Sequence, residues 1–378
     1  MMRKIKIAIF TNVIPSYREG FYREILKDNR FKIEIYCHKF IQGLNVKTIN
    51  EKFDQSIVPI NYKWILKGKI LWQKYPILKI LRNDYDLVIS DGNPRHFSQA
   101  LLSIFLKIRG TKVAIWSTVH SHRNSSISKK FRLLYWGIFD YFLMYVERDI
   151  EQMKSLGFKS KLISSINNGL DQNKIREEIQ KWDYGKLEDW KKENGLNNRR
   201  IILGSSRVVP GKFDDLILAV DILKDDFPDI KCVIVGDGPY LDELKQKAFK
   251  LGIDKYIYFV GELYDESKLA PWFLSALVLV HPAPIGLTLM HSLGYGLPVI
   301  TYSDWETHGP EFSVFKDGHT GFLYNRYDNS DLANKIKFFL NNESLKKEMS
   351  LKCKDIIDSN YNTDKMANNF IDFCTAII

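Results

Sequence analysis

Apolar and polar positions alternate along this chain in two rounds of one rhythm. The first round opens with Ile5-Lys6-Ile7-Ala8-Ile9-Phe10, which reads as a buried strand, followed by the loop Thr11-Asn12-Val13-Ile14-Pro15-Ser16 and a helical stretch over residues 17–27. Strand patterns recur at 32–36, 87–90 and 112–116, with a helix near 96–109 and a long amphipathic region to about residue 146. The second round starts at residue 200: strands are predicted at 200–205, 231–236, 257–260, 277–280 and 298–301, and helices at 213–224, 240–251 and 287–295. Short β-rich runs separated by helical patterns predict parallel sheets with helices on both faces. The chain therefore reads as α/β with two doubly wound domains, residues 1–175 and 176–362. The polar stretch near 171–199 joins them. Residues 363–378 read as a helix, apolar along Met366, Phe370 and Phe373, that packs back on the first domain. Ligands are expected at the carboxyl ends of the strands.

A length of 378 residues accommodates two such cores. The net charge of +10 is unevenly distributed: residues 1–170 hold 29 Lys and Arg against 13 Asp and Glu, and the remainder 26 against 32. The first domain is thus expected to face something anionic, or simply to carry a Lys-rich solvated surface. Cys37, Cys232, Cys353 and Cys374 are scattered without a C-x-x-C, which argues against a disulfide framework or zinc site and fits a reducing cytoplasm. The basic, apolar N-terminus is cut by Lys6 and lacks a small-residue cleavage site, so it reads as a strand and not as a signal peptide. The apolar run 133–146 is about one-third short of a spanning helix and contains Asp140, so no transmembrane segment is expected.

Candidate chemistry concentrates at strand ends. Arg207 and Lys212 flank a strand-to-helix loop, Ser206-Arg207-Val208-Val209-Pro210-Gly211-Lys212, where two cations beside a helix N-terminus suit a diphosphate. As an isolated pair they also fit two solvated surface charges. Gly236-Asp237-Gly238-Pro239 reads as a sharp turn after a strand. The small-residue loop Pro282-Ala283-Pro284-Ile285-Gly286-Leu287-Thr288 leads into a helix whose free N–H groups can hold phosphate.

The order of these motifs resembles the retaining glycosyltransferases of the GT-B fold, family four, which have two Rossmann-like domains. The likeness runs through Asn168-Gly169-Leu170-Asp171, Arg207 and Lys212, Gly236-Asp237-Gly238-Pro239, Phe259-Val260-Gly261, Gly286-Leu287, Gly296-Leu297-Pro298-Val299-Ile300, Pro310-Glu311 and Asp317-Gly318-His319-Thr320-Gly321. The resemblance implies a nucleotide-sugar donor, UDP- or GDP-linked, bound by the second domain. Arg207 and Lys212 would grip its diphosphate and stabilise the charge that builds there. The N–H groups of Gly286, Leu287 and Thr288 would add to this, Val260 to Leu263 would hold the base, and Glu311 would lie on the donor side. The acceptor would be a glycan or lipid-linked glycan of a bacterial surface polysaccharide. Two positions depart from the family, which has glutamates eight apart where this chain has Ala283 and His291; His291 is the candidate for the ribose contact. In the first domain, His120 in Trp116-Ser117-Thr118-Val119-His120-Ser121-His122 is the candidate contact to the sugar. Asn12, Tyr17, Arg18 and Asp91 are expected on the acceptor side, although Asp91 also fits a turn.

No cofactor is expected. Asp84-Tyr85-Asp86 precedes a strand instead of ending one, so it reads as a turn and not as a metal-binding D-x-D. The stretches 63–75 and 129–136 mix Lys with Trp, Tyr and Leu, a composition suited to an anionic bilayer and equally to Lys-faced core helices. A cytoplasmic protein follows, peripheral on the inner face of the membrane in the first case. Three other readings stand beside the transferase: an inactive partner of a glycosyltransferase, a nucleotide-sugar 2-epimerase of the same fold, and a nucleic-acid binder. The last has charge but no nucleic-acid motif to support it.

Overall fold

A computed structural model describes residues 3–41, 48, 53, 55–119 and 126–378. The chain divides into unit 1, Met1–Asp171 with Asn362–Ile378, and unit 2, Gln172–Tyr361. In unit 1, β1 (Ile5–Phe10) leads through α1 (Glu19–Lys27) to β2 (Phe31–Cys37) and β3 (Ile57–Pro59). A hairpin, β4 (Asn61–Ile65) and β5 (Ile70–Lys74), precedes α2 (Ile77–Asn83), β6 (Leu87–Asp91) and α3 (Phe97–Ile108). Then come β7 (Lys112–Ser117), α4 (Ser126–Trp136), β8 (Tyr141–Met144), α5 (Glu147–Ser155) and β9 (Leu162–Ser165). The main sheet has the order β3-β2-β1-β6-β7-β8-β9, and its strands pair in parallel.

The sequence of β1 shows why this sheet is covered on both faces. Ile7 and Ile9 enter a core with Phe21, Ile25 and Phe370. Ala8 and Phe10 enter the opposite core with Val88, Ile115 and Trp136. A strand at the centre of a parallel sheet needs apolar residues at both parities. Lys6 is tolerated because it stands at the entrance, where its ammonium donates to the carbonyl of Asn83 at 2.9 Å.

Unit 2 begins with α6 (Gln172–Gln180) and α7 (Tyr184–Glu193) and continues with β10 (Arg200–Ser205), α8 (Asp214–Leu223), β11 (Ile230–Val235) and α9 (Leu241–Lys250). It goes on through β12 (Ile257–Gly261), α10 (Glu266–Ser275), β13 (Val278–Val280), α11 (Leu287–Gly294), β14 (Val299–Tyr302) and β15 (Gly321–Tyr324), and closes with α12 (Asn329–Asn341) and α13 (Glu343–Asn360). The sheet order is β12-β11-β10-β13-β14-β15, all parallel. Both sheets therefore reverse direction beside their first strand, which is the Rossmann arrangement. The last helix, α14 (Thr363–Ile377), belongs to unit 1. Its cap, Asn362, bridges Leu170, so the two chain crossings out of unit 1 lie side by side.

Three details differ from the sequence reading. The amphipathic region ending near residue 146 is not one element: α4 stops at Trp136, and Tyr141-Phe142-Leu143-Met144 form a buried strand. Apolar periodicity hides a four-residue strand next to an apolar helix. The stretch 63–75 falls mostly in the β4–β5 hairpin, with Lys63 opposite Trp72 and Trp64 opposite Leu71. The polar stretch near 171–199 carries α6 and α7. These are helices of unit 2, whose mostly polar surfaces conceal their periodicity.

α14 rests on aromatic packing. Phe370 is fully buried, with ring centroids 5.6 Å from Phe21 and 6.2 Å from Trp116. Phe370→Ala should destabilise unit 1 by about 3–5 kcal/mol. Denaturant unfolding followed by tryptophan fluorescence measures this, and an unchanged midpoint would show that α14 does not hold the unit together.

Candidate functional site

Unit 2 gathers its candidate residues at the carboxyl ends of its strands. After β10 the chain runs through Ser206 to Lys212 along the turn that follows β11. The Ser206 amide donates to Val235 O at 3.1 Å and the Val208 amide to Asp237 O at 2.9 Å. This approach is why glycines are needed in Gly236-Asp237-Gly238. A β-carbon at Gly236 would stand 1.9 Å from Ser206 O, and one at Gly238 would stand 2.1 Å from Val208 O. The far end of the loop is held by Asp214, which accepts from the Gly211 amide at 3.0 Å and from Lys247 at 2.7 Å. Arg207 is exposed on this loop. Lys212 is half-buried, its ammonium lowered by burial, and among the described residues no carboxylate pairs with it.

The loop after β13 faces Lys212. His281 is buried, and burial together with the Lys212 charge pushes its ring down to about 3, so it is neutral. Its Nδ1 lies 3.0 Å from Ala283 O and must donate there. Ala283 is itself buried. The Ile285 amide donates to His308 Nδ1 at 3.1 Å, and His308 Nε2 donates to Tyr302 O at 2.9 Å. His308 thus locks the entry to α11. Gly286 is the N-cap of that helix, with Leu287 and Thr288 in its first turn. The Glu311 carboxylate lies beside it, one oxygen 3.5 Å from where a β-carbon of Gly286 would stand. Negative charge is favoured at that helix end.

His291 sits one turn further along α11. Its Nε2 is 2.8 Å from Glu266 Oε1, and the same oxygen accepts from Tyr295 OH at 2.6 Å. Burial favours the protonated Glu266, but these hydrogen bonds hold its carboxyl below the usual range. Val260 and Leu263 are half-buried at the end of the edge strand β12. There the Gly261 carbonyl accepts from the Gly236 amide at 2.8 Å, tying this end to the glycine turn.

Unit 1 has a cavity of about 220 Å³ at its own reversal point, between β1 and β6. Asn12, Tyr17, Arg18 and Asp91 all line it. Asp91 pairs with His96 at 3.1 Å. Burial alone would raise the Asp91 carboxyl, and His96 brings it below its ordinary value. His120 lies outside the described residues. Its neighbour Val119 is fixed, its amide donating to Asp149 at 3.0 Å and its carbonyl accepting from Arg132.

The profile of the family described as glycosyl transferases group 1 matches residues 187–355, nearly all of unit 2. Unit 2 is a glycosyl transferases group 1 domain. A 128-residue segment is 34% identical to an alpha-monoglucosyldiacylglycerol synthase of Streptococcus pneumoniae, covering 32% of this chain and 26% of that protein. The chain thus spans about a quarter of that relative. It is 25% identical to an uncharacterised glycosyltransferase of Methanocaldococcus jannaschii over 98% of both chains. The Anabaena protein HepE, crystallised with UDP, superposes with a TM-score of 0.74 at 16% identity, over 99% of this chain and 100% of that one. The whole chain accordingly has the GT-B type of fold.

Within the group 1 domain, Arg207, Lys212, Gly286, Leu287, Thr288, Val260, Leu263 and Glu311 all stand at the carboxyl ends of strands or the loops and helix starts beyond them, with His291 further along α11. Sequence reasoning missed His281, His308 and Glu266. His281 and His308 had a usable signal, since a histidine beside a Pro- or Gly-containing loop at a strand end tends to brace backbone. Glu266 had none, because its partner His291 is 25 residues away. Among the described residues, no cluster of three or more His, Cys, Asp or Glu could hold a metal ion.

The contact between Gly236 and Ser206 sets the Arg207 loop. Gly236→Ala should cost about 1–3 kcal/mol through overpacking. Gly252→Ala, which also carries positive-φ strain (φ +67° against +149° at Gly236) but has nothing within 4 Å of the added carbon, should cost less. Thermal unfolding of both variants measures the difference, and equal losses would remove the close-approach argument.

Proposed function

We propose that this protein is a retaining glycosyltransferase that moves a sugar from a UDP- or GDP-sugar to a glycan or lipid-linked glycan acceptor in bacterial surface-glycan synthesis. The observation that carries the reading is Lys212: a half-buried ammonium with no carboxylate partner among the described residues, at the reversal point of a group 1 domain, near a neutral His281. A diphosphate supplies the missing counter-charge. Arg207, exposed on the same loop, gives the second cation. HepE, with the same fold, was crystallised with UDP, which supports a nucleotide donor.

In the proposed reaction the bond between the sugar C1 and the donor diphosphate oxygen breaks. The acceptor oxygen bonds C1 on the same face, and its proton passes to the leaving diphosphate. Lys212, Arg207 and the first N–H groups of α11 stabilise the charge on that leaving group. Val260 and Leu263 flank the base, His291 and Glu266 together meet the ribose, and Glu311 meets the sugar. His120, Asn12, Tyr17, Arg18 and Asp91 serve the sugar and acceptor from unit 1. No metal takes part in this scheme. The substitutions at Ala283 and His291 favour one competing reading, an inactive partner protein.

The proposed site of action is the cytoplasmic face of a membrane. α3 exposes Phe97, Leu101, Phe105 and Ile108 along one stripe, and the β4–β5 hairpin exposes Trp64, Leu66 and Trp72. Trp72 and Phe97 are 6.2 Å apart. Exposed Lys63, Lys67, Lys69 and Lys74 lie on the same hairpin. Aromatic and aliphatic groups ringed by lysines suit an anionic bilayer. Among the described residues no helix is long and apolar enough to cross one.

Calorimetric titration with UDP, GDP and their sugar conjugates in EDTA should show micromolar binding of one nucleotide. Lys212→Ala should lower kcat/KM for transfer by about 10²–10³-fold. A folded protein that binds no nucleotide would sink this reading and leave the inactive partner in its place.

In sedimentation with vesicles, the protein should bind phosphatidylglycerol more tightly than phosphatidylcholine, and less tightly as salt rises. Reversing Lys67 and Lys69 to Glu should weaken binding by about tenfold or more, at about 1 kcal/mol per basic residue. Indifference to lipid charge, or equal affinity for DNA, would count against a membrane role.

A further inference from the structure

Three polar groups on the wall of the unit 1 cavity lack a strong partner among the described residues. The first is Arg18, which is only 7% exposed. Its guanidinium stands 5.7 Å from the Tyr17 ring and 5.8 Å from the rings of Trp116 and Tyr145. Among the described residues its one hydrogen-bond acceptor is the thioether of Met366, at 3.1 Å, and no carboxylate pairs with it. A guanidinium has five N–H donors, and thioether sulfur is a weak acceptor. The second group is the indole N–H of Trp116, and the third is the side-chain oxygen of Asn12; both atoms are buried with no hydrogen-bond partner among the described residues. All three residues line the same cavity.

Unsatisfied buried groups cost about 1–3 kcal/mol each, and more when charged. Two such atoms, beside a guanidinium answered only by a thioether, make a cost that a ligand would lessen. The two donors call for an oxygen-rich, negatively charged group, and the aromatic rings around Arg18 supply no negative charge of their own beyond their faces. The acceptors call for a donor. Asn12 offers its free oxygen, and the Asp91 carboxylate, paired with His96, offers its remaining acceptor sites. One ligand satisfies both sets: a polyol bearing an oxyanion.

We propose that this cavity selects an acidic acceptor, whose carboxylate or phosphate is held by Arg18 and the Trp116 indole N–H while a hydroxyl of the same sugar donates to Asn12 or Asp91. The proposal rests on the acceptor-side reading of unit 1 given above and adds the charge class of the acceptor. It also gives the basic balance of residues 1–170 a local use, since the surplus draws such a molecule toward the unit. A neutral sugar would leave the buried guanidinium unanswered and so bind more weakly.

The test is titration of the full chain with glucuronate, glucose 6-phosphate, inorganic phosphate and glucose, with no nucleotide present. At least one of the two charged sugars should bind at least about tenfold more tightly than glucose, a difference of about 1.4 kcal/mol. Which one binds distinguishes a carboxylate from a phosphate acceptor. Arg18→Gln should lose this preference. Trp116→Phe should weaken the charged sugar while keeping the ring that packs on Phe21 and Phe370, so it remains informative if Arg18→Gln does not fold. Lys212→Ala should bind the charged sugars as the wild type does. Equal affinity for charged and neutral sugars would overturn the proposal, as would unchanged binding in both unit 1 variants, or loss in Lys212→Ala alone. Inorganic phosphate binding as tightly as glucose 6-phosphate would overturn the hydroxyl half. A failure of nucleotide binding sinks the transferase reading but leaves these titrations unaffected, so the two failures are distinguishable.

Discussion

Each unit depends on a first strand that is paired in parallel on both sides, with the chain leaving in opposite directions to reach its two neighbours. β10 lies between β11 and β13, and β1 lies between β2 and β6. Parallel pairing sends every carboxyl end to one edge, and the reversal parts the loops there. The loops that carry Arg207 and Lys212, the glycine turn, and His281 through Gly286 are brought to one edge by this backbone constraint. The loops of Asn12 to Arg18 and of Asp91 are brought together in the same way. Side chains such as Asp214 and His308 brace single loops within that placement. Others contribute charge, and the site is distinguished by cations that no described carboxylate balances.

Most cations of the chain that sit near a carboxylate are matched by it: Arg200 pairs with Asp229, Lys247 with Asp214, Arg326 with Asp304. Pairs of that kind, half-buried but still reached by water, stabilise by on the order of 1 kcal/mol. Lys212 and Arg18 differ. Both are withdrawn from water, and among the described residues neither has a carboxylate partner. Withdrawing a charge from water without a partner is costly, so an isolated, half-buried or buried cation in a cavity wall is a stronger sign of an anionic ligand than any number of surface lysines. The two sit at equivalent points of two similar sheets, one after β10 and the other after β1.

The rhythm of apolar runs was enough to read two parallel sheets, because a strand buried on both faces leaves a nearly continuous apolar signature, as β1 and β10 do. It was not enough for β8, which follows an apolar helix after four residues, nor for α6 and α7, whose polar surfaces look like a linker. The glycines after β11 were legible as a turn, but their physical reason, the carbonyls of Ser206 and Val208 pressed against them, involves a strand 30 residues away and leaves no local mark. Arg18 was legible as an acceptor-side residue beyond a strand end, but not as an isolated buried cation. Its isolation depends on Trp116, Tyr145 and Met366, which the fold brings together from three distant segments.

The same separation bears on the two positions where the family motif is broken. Ala283 and His291 remove two carboxylates from one segment of sequence, and a motif reads that as a loss from the site. A binding site responds to where charge lies in space and is indifferent to which helix delivers it. Glu311 reaches the start of α11 from the turn Pro310–Val314, and Glu266 reaches His291 from the start of α10. Glu266 accepts from both His291 and Tyr295, which keeps it ionised and fixes the imidazole in place. His291 is then one end of a hydrogen-bonded pair with that carboxylate and not a lone replacement for one. Two glutamates therefore flank α11, near its first turn and beside His291, which argues that this helix keeps its acidic surroundings while drawing them from other parts of the chain.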